Sequence, residues 1–425
     1  MPVRALYSFP NKLGAQRICY TAWQQVKGLA AAGAQVLVYT GGLLRPVPES
    51  VEVRTTLARG KLRIPYKLIG NQRAMALHDA IVASQIERLS GKIDIVHVWP
   101  QGALRTIEAA KRFGIPTVLE RCNTHTRYAY EVVRDECHRL GVALPPGHES
   151  AFNKDVLRRE EEEFRTADRL LCPSDFVART FLDRGFELRR LARHMYGFDE
   201  TVYHAGNELR AAKAGLTMLF VGVCAVRKGV HFALEAWLRS PASKEGTFLI
   251  AGEFLPAYRE KLAGMLAHPS VQVLGHRNDV PELMRKSDIL IQPSIEEGSA
   301  LVTAEARGSG CALLCSEAAG AVCTHMRDAL VHEVGDVAAL ERHITMVHED
   351  RALLEQLRAA SLALAPELTW NAAGARLHEV YRETIAMYRG GALATAVDLA
   401  AATAAADTTR PAPAATASAS ATSSA

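Results

Sequence analysis

The chain has 425 residues, 48% of them hydrophobic, and a formal net charge of +4. This length predicts two domains, each large enough to bury its own core. The charge is uneven: residues 1–200 carry 30 basic and 22 acidic side chains, and the remainder carries 20 and 24. The first half therefore favours an acidic partner such as a phosphate or an anionic surface, but its charge is too diffuse to indicate nucleic acid.

Three classes of protein are disfavoured by the sequence. Met1 leads directly into the strand-like "VRALYSF", so no signal peptide is expected. No apolar run approaches the roughly 18 residues of a membrane span. The eight cysteines lack the spacing of a zinc site. These features predict a cytoplasmic protein with reduced thiols and no metal.

Short apolar runs alternate with longer amphipathic segments along the chain. In the first half the runs are "QVLVYTG", "IDIVHVW", "IPTVLER" and "RLLCPS". In the second half they are "TMLFVG", "TFLIAGE", "VQVLG", "DILIQPS" and "ALLCS". Strands that are apolar throughout and separated by helices are typical of parallel sheets covered on both faces, which predicts an α/β fold.

The pattern breaks at "YGFDETVYHAGNELRAAKAG", and this break separates two series of strands. The predicted division is a first domain over residues 1–195, a linker over 196–215, a second domain over 216–370, a late helix over 371–389 and a tail over 390–425. The tail is almost entirely Ala, Thr, Ser and Pro, a composition that predicts disorder.

The segment "SIEEGSALVTAEARGSG" follows a predicted buried strand and contains two glutamates eight positions apart, Glu297 and Glu305. Ligands of open parallel sheets bind beyond the carboxyl ends of the strands. A helix beginning near Ala300 would offer free N–H groups to a diphosphate, and Gly298 would let the backbone approach it. Glu305 would then lie near a ribose and Glu297 near a sugar. Taken alone, the spacing of the two glutamates favours side chains that cap or decorate a helix over a binding role.

A second group of candidate binding residues lies in "LFVGVCAVRKGVHFALEAW". Gly222 is expected to end a strand, and Arg227 and Lys228 precede Gly229 at the start of a helix. Cations are disfavoured at a helix N-terminus, so their presence here favours a role in binding a diphosphate over a solvated helix start.

With these residues in view, the chain resembles the retaining glycosyltransferases of family 4, which have the GT-B fold of two facing Rossmann-like domains and a C-terminal crossover helix. The resemblance extends over residues 1–389 and is strongest over 219–344. It rests on the glutamate pair, on Gly222 with Lys228-Gly229, and on the late "VGD…AL" at residues 334–340.

The resemblance implies transfer of a sugar from a nucleotide-diphosphate sugar to an acceptor, with no cofactor and no catalytic metal. It implies catalytic roles for Glu297, Lys228 and His125. His125 matches a family histidine near the donor sugar and the acceptor, and His97 is a rival for that role. The implied donor-binding residues are Glu305, Arg227, Gly14, Gly298, Ser299, Ala300 and Leu301.

Two positions depart from the family pattern. Val223 stands where many members have arginine, and Gly298-Ser299-Ala300 replaces a glycine-aromatic-glycine loop. Two alternatives therefore stay open: a GT-B sugar-nucleotide epimerase, and a nucleotide-binding scaffold without turnover.

The acceptor is left open between a sugar, a lipid-linked molecule and a small molecule, and no nucleic acid is expected.

Residues 57–73 mix five cations with apolar side chains. This mixture suits weak peripheral contact with an anionic membrane at the inner face, or a solvated surface segment.

Overall fold

The computed structural model describes residues 2–59, 62–63, 70–206 and 215–392. Most of the predicted tail, half of the basic segment 57–73 and part of the predicted linker lie outside the described residues. Among the described helices, none combines the length and hydropathy that a membrane span requires.

The first sheet is built from strands within the first half of the chain. Its members are β1 (Arg4–Leu13), β2 (Gln35–Leu43), β3 (Glu52–Thr55), β6 (Ile95–Val98), β7 (Thr117–Glu120), β8 (Arg169–Cys172) and β9 (Leu191–Arg193). They are parallel and lie in the order β3-β2-β1-β6-β7-β8-β9. A separate antiparallel pair joins β4 (Ala58–Arg59) to β5 (Leu62–Arg63).

Helices cover both faces of this sheet. They are α1 (Ile18–Ala31), α2 (Asn71–Leu89), α3 (Leu104–Arg112), α4 (Thr126–Leu140), α5 (Lys154–Thr166) and α6 (Asp175–Leu182). Alternate strand residues enter two cores, one containing Tyr7 and Val38 and the other Leu6 and Val96. The short apolar runs are strands because both of their faces are buried.

The second sheet repeats this design. Its strands are β10 (Thr217–Val221), β11 (Thr247–Ala251), β12 (Val271–Gly275), β13 (Ile289–Gln292), β14 (Ala312–Ser316) and β15 (Leu330–His332). All are parallel, in the order β12-β11-β10-β13-β14-β15. The predicted α/β fold with two parallel sheets is confirmed.

The helices of the second half surround this sheet. They are α7 (Val230–Arg239), α8 (Pro256–Lys261), α9 (Ala263–Leu266), α10 (Val280–Lys286), α11 (Leu301–Gly308), α12 (Val337–Glu349), α13 (Arg351–Leu364) and α14 (Trp370–Arg389).

Two helices join the halves of the chain. Helix α14, the last in sequence, returns to the first sheet, where Leu377, Val380 and Tyr381 enter the core beside Tyr7. Helix α4 of the first half contributes Val133, Cys137 and Leu140 to the core of the second half. The two sheets are therefore held together by apolar packing as well as by chain connectivity.

Candidate active site

The carboxyl ends of β10 and β13 meet because these strands are parallel neighbours. After β10 the chain makes a tight turn at Val226–Lys228 and continues through Gly229, which has φ 67°. A Cβ on Gly229 would lie 2.0 Å from the carbonyl oxygen of Pro293. The amide of Ile295 also donates to the carbonyl of Arg227 over 2.9 Å. Glycine thus lets the cationic turn dock against the loop after β13.

This docking brings the basic turn and the glutamate segment, the two candidate groups predicted from the sequence, into one charged cluster. Nη1 of Arg227 lies 3.1 Å from Oε1 of Glu297, and the Lys228 ammonium contacts the same oxygen. All three side chains are largely buried. Burial lowers the pKa of Lys228 well below its ordinary value, and the charge of Arg227 adds to this effect, while Glu296 opposes it.

Glu296 is a member of the site that the sequence reasoning missed. It is 1% exposed and accepts hydrogen bonds from the amide of Thr124 at 3.0 Å and from its hydroxyl at 2.7 Å. Its other oxygen lies 3.5 Å from Nη1 of Arg227. Glu296 therefore ties the cationic turn to the first half of the chain. The doubled glutamate in "SIEEGS" is the one sequence signal for it, since Thr124 lies 172 positions away.

Glu305 lies on α11, which begins one residue after Ala300. Burial raises the pKa of its carboxyl group to about 7, and the Tyr203 hydroxyl opposes this effect. The amide of Ala300 is already used, because it donates to the carbonyl of Ala319 over 3.0 Å. Ala300 itself therefore offers no free N–H, and the first-turn amides from Leu301 onward are the helix N–H groups that remain for an anion.

Gly298 and Gly14, two glycines predicted to approach a ligand, also lie close to protein atoms. A Cβ on Gly298 would lie 1.8 Å from the carbonyl oxygen of Cys122, across the contact between the two halves of the chain. Gly14 has φ 85°, and its carbonyl accepts from Nε of Arg45 at 2.9 Å. A Cβ there would meet the Arg45 side chain at 2.7 Å. Both positions require glycine for packing or backbone conformation, whatever they bind.

His125 is 3% exposed and caps α4, where Nδ1 accepts from the amide of Arg127. Its ring lies 5.3 Å from the ring of Phe164 and 5.0 Å from that of Phe181. Burial lowers its pKa to about 3, with Arg121 adding to the effect. These contacts are those of a neutral side chain packed among aromatic rings, and the catalytic role of His125 stays a prediction.

His97, the rival histidine, belongs to a fully buried polar network at β6. Its Nδ1 lies 2.6 Å from the hydroxyl of Tyr381 on α14, and Nε2 lies 3.5 Å from Glu120. Glu120 also accepts from Tyr196 at 2.8 Å and lies 3.0 Å from Nε2 of His194. The histidines keep the pKa of Glu120 below its usual value despite its burial. This network anchors α14 on the first sheet, so His97 is a structural residue.

The remaining motif residues shape the backbone. Gly335 has φ 78°, and the Asp336 carboxylate caps α12 by accepting from the amide of Ala339 at 2.8 Å. Gly222, with φ 146°, lets the chain turn after β10. Val223 is 43% exposed, so this position leaves room for a larger side chain.

The chain has relatives among characterised proteins. It is 24% identical over 397 residues to D-inositol 3-phosphate glycosyltransferase of Salinispora arenicola (strain CNS-205), and the match covers 85% of each chain. The crystal structure of Anabaena HepE in complex with UDP superposes with a TM-score of 0.60 at 17% identity, covering 90% of this chain and all of that one. Sucrose-phosphate synthase from Thermosynechococcus elongatus gives a TM-score of 0.64 at 16% identity, covering 91% and 100%.

Two family profiles match separate halves of the chain. The profile described as Glycosyltransferase Family 4 matches residues 20–193, and that described as Glycosyl transferases group 1 matches residues 215–350. The first profile contains strands β2 to β9 of the first half, and the second contains all six strands of the second sheet. The chain therefore belongs to the group 1, family 4 glycosyltransferases and has their GT-B fold.

Proposed function

We propose that this chain is a retaining glycosyltransferase that moves a sugar from a nucleotide-diphosphate sugar to an acceptor. One observation carries the proposal: Arg227, Lys228 and Glu297 form a single charged cluster at the carboxyl ends of β10 and β13, beside the start of α11. This edge of a parallel sheet is where such folds bind ligands.

Departure of the diphosphate from the donor sugar concentrates negative charge on its oxygens. Arg227, Lys228 and the first-turn amides of α11 would stabilise that charge more strongly in the transition state than in the bound substrate, which is the condition for catalysis. Before the donor binds, one carboxylate oxygen of Glu297 is shared by Arg227 and Lys228. A diphosphate that replaces Glu297 on Lys228 would free the carboxylate to orient the sugar and to stabilise its developing positive charge.

Retention of configuration follows from attack on the face that the diphosphate leaves. The departing phosphate oxygen would accept the proton of the acceptor hydroxyl, so no protein nucleophile is needed. Glu305 would accept hydrogen bonds from the ribose of the donor. His125 would act near the acceptor in this scheme, although its buried ring would first have to leave its phenylalanine neighbours.

The relatives guide the choice of donor and acceptor. HepE has been crystallised with UDP and with UDP-glucose, so uridine-diphosphate sugars are the first donors to test. The name of the Salinispora relative points to a phosphorylated cyclitol as one small-molecule acceptor to test, beside sugars and lipid-linked acceptors. No cofactor or metal is included in the proposal.

The deciding experiment measures turnover of UDP-, GDP- and ADP-sugars by the full chain with candidate acceptors, and the anomeric configuration of the product by NMR. Lys228→Ala should lower kcat by at least about tenfold, the equivalent of ~1.4 kcal/mol of transition-state stabilisation. Lys244→Ala, which removes a cation elsewhere in the same half of the chain, is the matched control. Equal kcat in both variants would contradict the assignment of Lys228, and an inverted product would contradict retention.

A scaffold without turnover is the second candidate, because Lys228 and Arg227 already have carboxylate partners in Glu296 and Glu297. Nucleotide binding without donor consumption would favour this alternative. Conversion of the donor without any acceptor would instead indicate an epimerase.

A further inference from the structure

An arginine with unused N–H groups lies at the carboxyl edge of the first sheet. Arg45 comes two residues after the end of β2 and beside the loop that follows β1. Its Nε donates to the carbonyl of Gly14 over 2.9 Å, whereas its amino groups Nη1 and Nη2 have no acceptor among the described residues. The side chain is exposed, at the edge of a parallel sheet where such folds bind ligands.

Aromatic side chains of α1 hold this guanidinium in place. Its central carbon lies 5.2 Å from the ring centroid of Tyr20 and 5.6 Å from that of Trp23. The indole N–H of Trp23 in turn donates to the carbonyl of Pro46 over 2.8 Å, which fixes the chain directly after Arg45. An arginine that is already ordered loses less conformational freedom when it binds an anion, so its contacts contribute more to affinity.

The aromatic neighbours of Arg45 extend to the donor side of the proposed site. The Tyr20 ring lies 6.3 Å from that of Trp370 and packs against the cluster that contains Trp370 and Tyr196. Leu301, the first residue of α11, packs against the same cluster. Arg45 and the start of α11 are thus connected by one set of packed side chains, with Arg45 on the first-half side.

Two further cations lie in the segment next to Arg45. Lys12, near the end of β1, pairs in register with Gly42 of β2, and Arg17 precedes α1. Both side chains are exposed, and neither they nor Arg45 form an ion pair within the part of the chain that the structure describes. A group of cations without carboxylate partners favours a ligand with more than one negative charge.

We propose that Arg45 recognises an anionic acceptor, with Nη1 and Nη2 binding two oxygens of a phosphate monoester. A guanidinium matches the geometry of phosphate through two parallel N–H···O bonds, which makes the contact specific as well as strong. The inference rests on the proposed function, because it assigns the chemical class of the acceptor for the same site. The phosphate can belong to a soluble acceptor or to a lipid headgroup, since Leu43 and Leu44 beside Arg45 are 36% and 54% exposed.

The test compares two probes, myo-inositol 1-phosphate and myo-inositol, by calorimetric titration of the full chain in the presence of UDP. The wild type should bind the phosphate ester at least about tenfold more tightly than the uncharged cyclitol. Arg45→Ala should abolish this preference, and Arg45→Lys should restore part of it, because lysine supplies a charge without the paired N–H bonds. A role in structure alone would weaken both probes equally.

Arg88→Ala is the matched control. Arg88 is an exposed arginine in the last turn of α2, at the opposite edge of the first sheet, so its removal changes the net charge equally. This variant should keep the preference for the phosphate ester. Equal loss of the preference in Arg88→Ala and Arg45→Ala would show a diffuse effect of net charge and would overturn the proposal.

Co-sedimentation with phosphatidylcholine vesicles, prepared with and without phosphatidic acid, separates the two sources of the phosphate. Binding that requires both phosphatidic acid and Arg45, without a preference for the inositol phosphate, would identify a lipid headgroup. The reverse result would identify a soluble acceptor. A wild type that prefers the phosphate monoester in neither assay, or an Arg45→Ala variant that keeps the preference, would overturn the proposal.

The affinity for UDP distinguishes failure of this inference from failure of the proposed function. UDP should bind the wild type and Arg45→Ala with the same Kd, and a loss in the variant would assign Arg45 to the donor instead of the acceptor. Absence of UDP binding by the wild type would contradict the proposed function. The two probes, titrated without UDP, would then still decide whether Arg45 binds a phosphate monoester.

Discussion

The two glutamates of the family motif occupy opposite electrostatic surroundings. Glu297 lies against two basic side chains, those of Arg227 and Lys228. Burial raises the pKa of Glu305 to about 7, and the Tyr203 hydroxyl opposes this effect. A carboxylate that is partly desolvated before its ligand arrives is typical of functional sites, because ligand contacts can compensate its burial.

Glu305→Gln should change the pH dependence of stability. Between pH 4.5 and about 7 the folded state keeps the Glu305 proton that the unfolded state has lost, so the free energy of unfolding falls as pH rises through this window. A pKa shift of this size changes the free energy of unfolding by at most about 3 kcal/mol across this pH range. The variant lacks the titration, so its stability relative to the wild type should increase from pH 5 to pH 8 in chemical denaturation. The exposed control Glu200→Gln should differ from the wild type by the same free energy of unfolding at every pH. The same behaviour in Glu305→Gln would contradict the raised pKa.

Glu296→Ala should destabilise the protein far more than Glu317→Ala, which removes another carboxylate that bonds the first half of the chain. The change leaves the Thr124 amide and hydroxyl without their acceptor and removes one carboxylate from Arg227. A hydrogen bond to a charged group is worth about 1.5–3 kcal/mol. The control is Glu317→Ala, which breaks a half-exposed ion pair with Arg179 and should cost below about 1 kcal/mol. Similar losses in both variants would show that Glu296 does not hold the contact.

At the scale of elements, α1 and α14 meet through two glycines. A Cβ on Gly28 would lie 2.7 Å from Cα of Gly374, and one on Gly374 would lie 2.4 Å from Cα of Gly28. These neighbours are backbone atoms, which cannot move aside as a flexible side chain does. The pair therefore sets how closely the last helix approaches the first sheet, and the buried bond between Tyr381 and His97 depends on that approach.

Gly28→Ala should lower the free energy of unfolding by about 1–3 kcal/mol, because the added methyl group overpacks the helix contact. Gly264→Ala is the matched control, since a Cβ there meets nothing within 4 Å and the position lies in helix α9. That variant should be neutral or up to about 1 kcal/mol more stable, because alanine has the higher helix propensity. Equal effects in thermal unfolding would indicate that α14 shifts to accommodate the methyl group.

At the scale of the whole molecule, the two halves are in direct contact at the site. Besides the bond between Glu296 and Thr124, helix α4 packs in the core of the second half, where Glu136 lies 2.8 Å from Nε2 of His231. The structure is therefore a closed arrangement in which Gly298 lies against the backbone of Cys122. The two halves of the chain can move further apart only if all of these contacts break.

Gly298→Ala should open this arrangement. The added Cβ would overlap the carbonyl oxygen of Cys122 at 1.8 Å, so the two loops must separate. Small-angle X-ray scattering should give a larger radius of gyration for the variant than for the wild type, with Gly264→Ala as the control. An unchanged radius would mean that the loop after β13 relaxes locally and that the halves stay closed.

The sequence by itself determined the architecture, because buried parallel strands are apolar along their whole length. The runs at β1, β2, β6 to β8, β10, β11, β13 and β14 were predictable for this reason, whereas the edge strand β12 was predictable from its apolar composition although only Val271 is buried. Strands β3, β9 and β15 were missed, as were β4 and β5 of the separate pair. They are short and lie at the edges of their sheets, and three of the four β3 residues are exposed, so their composition carries no such signal. The family could also be identified from the motifs before any coordinates.

Only the tertiary structure decided which partners these motif residues have. The meeting of Lys228 with Glu297 could be anticipated, because adjacent parallel strands end at one edge of a sheet. The bond from Glu296 to Thr124, the burial of His125 among phenylalanines and the contact of Gly298 with Cys122 could not. Each of these joins segments distant in the chain, and local propensity and periodicity hold no information about which distant groups a fold brings within hydrogen-bond distance.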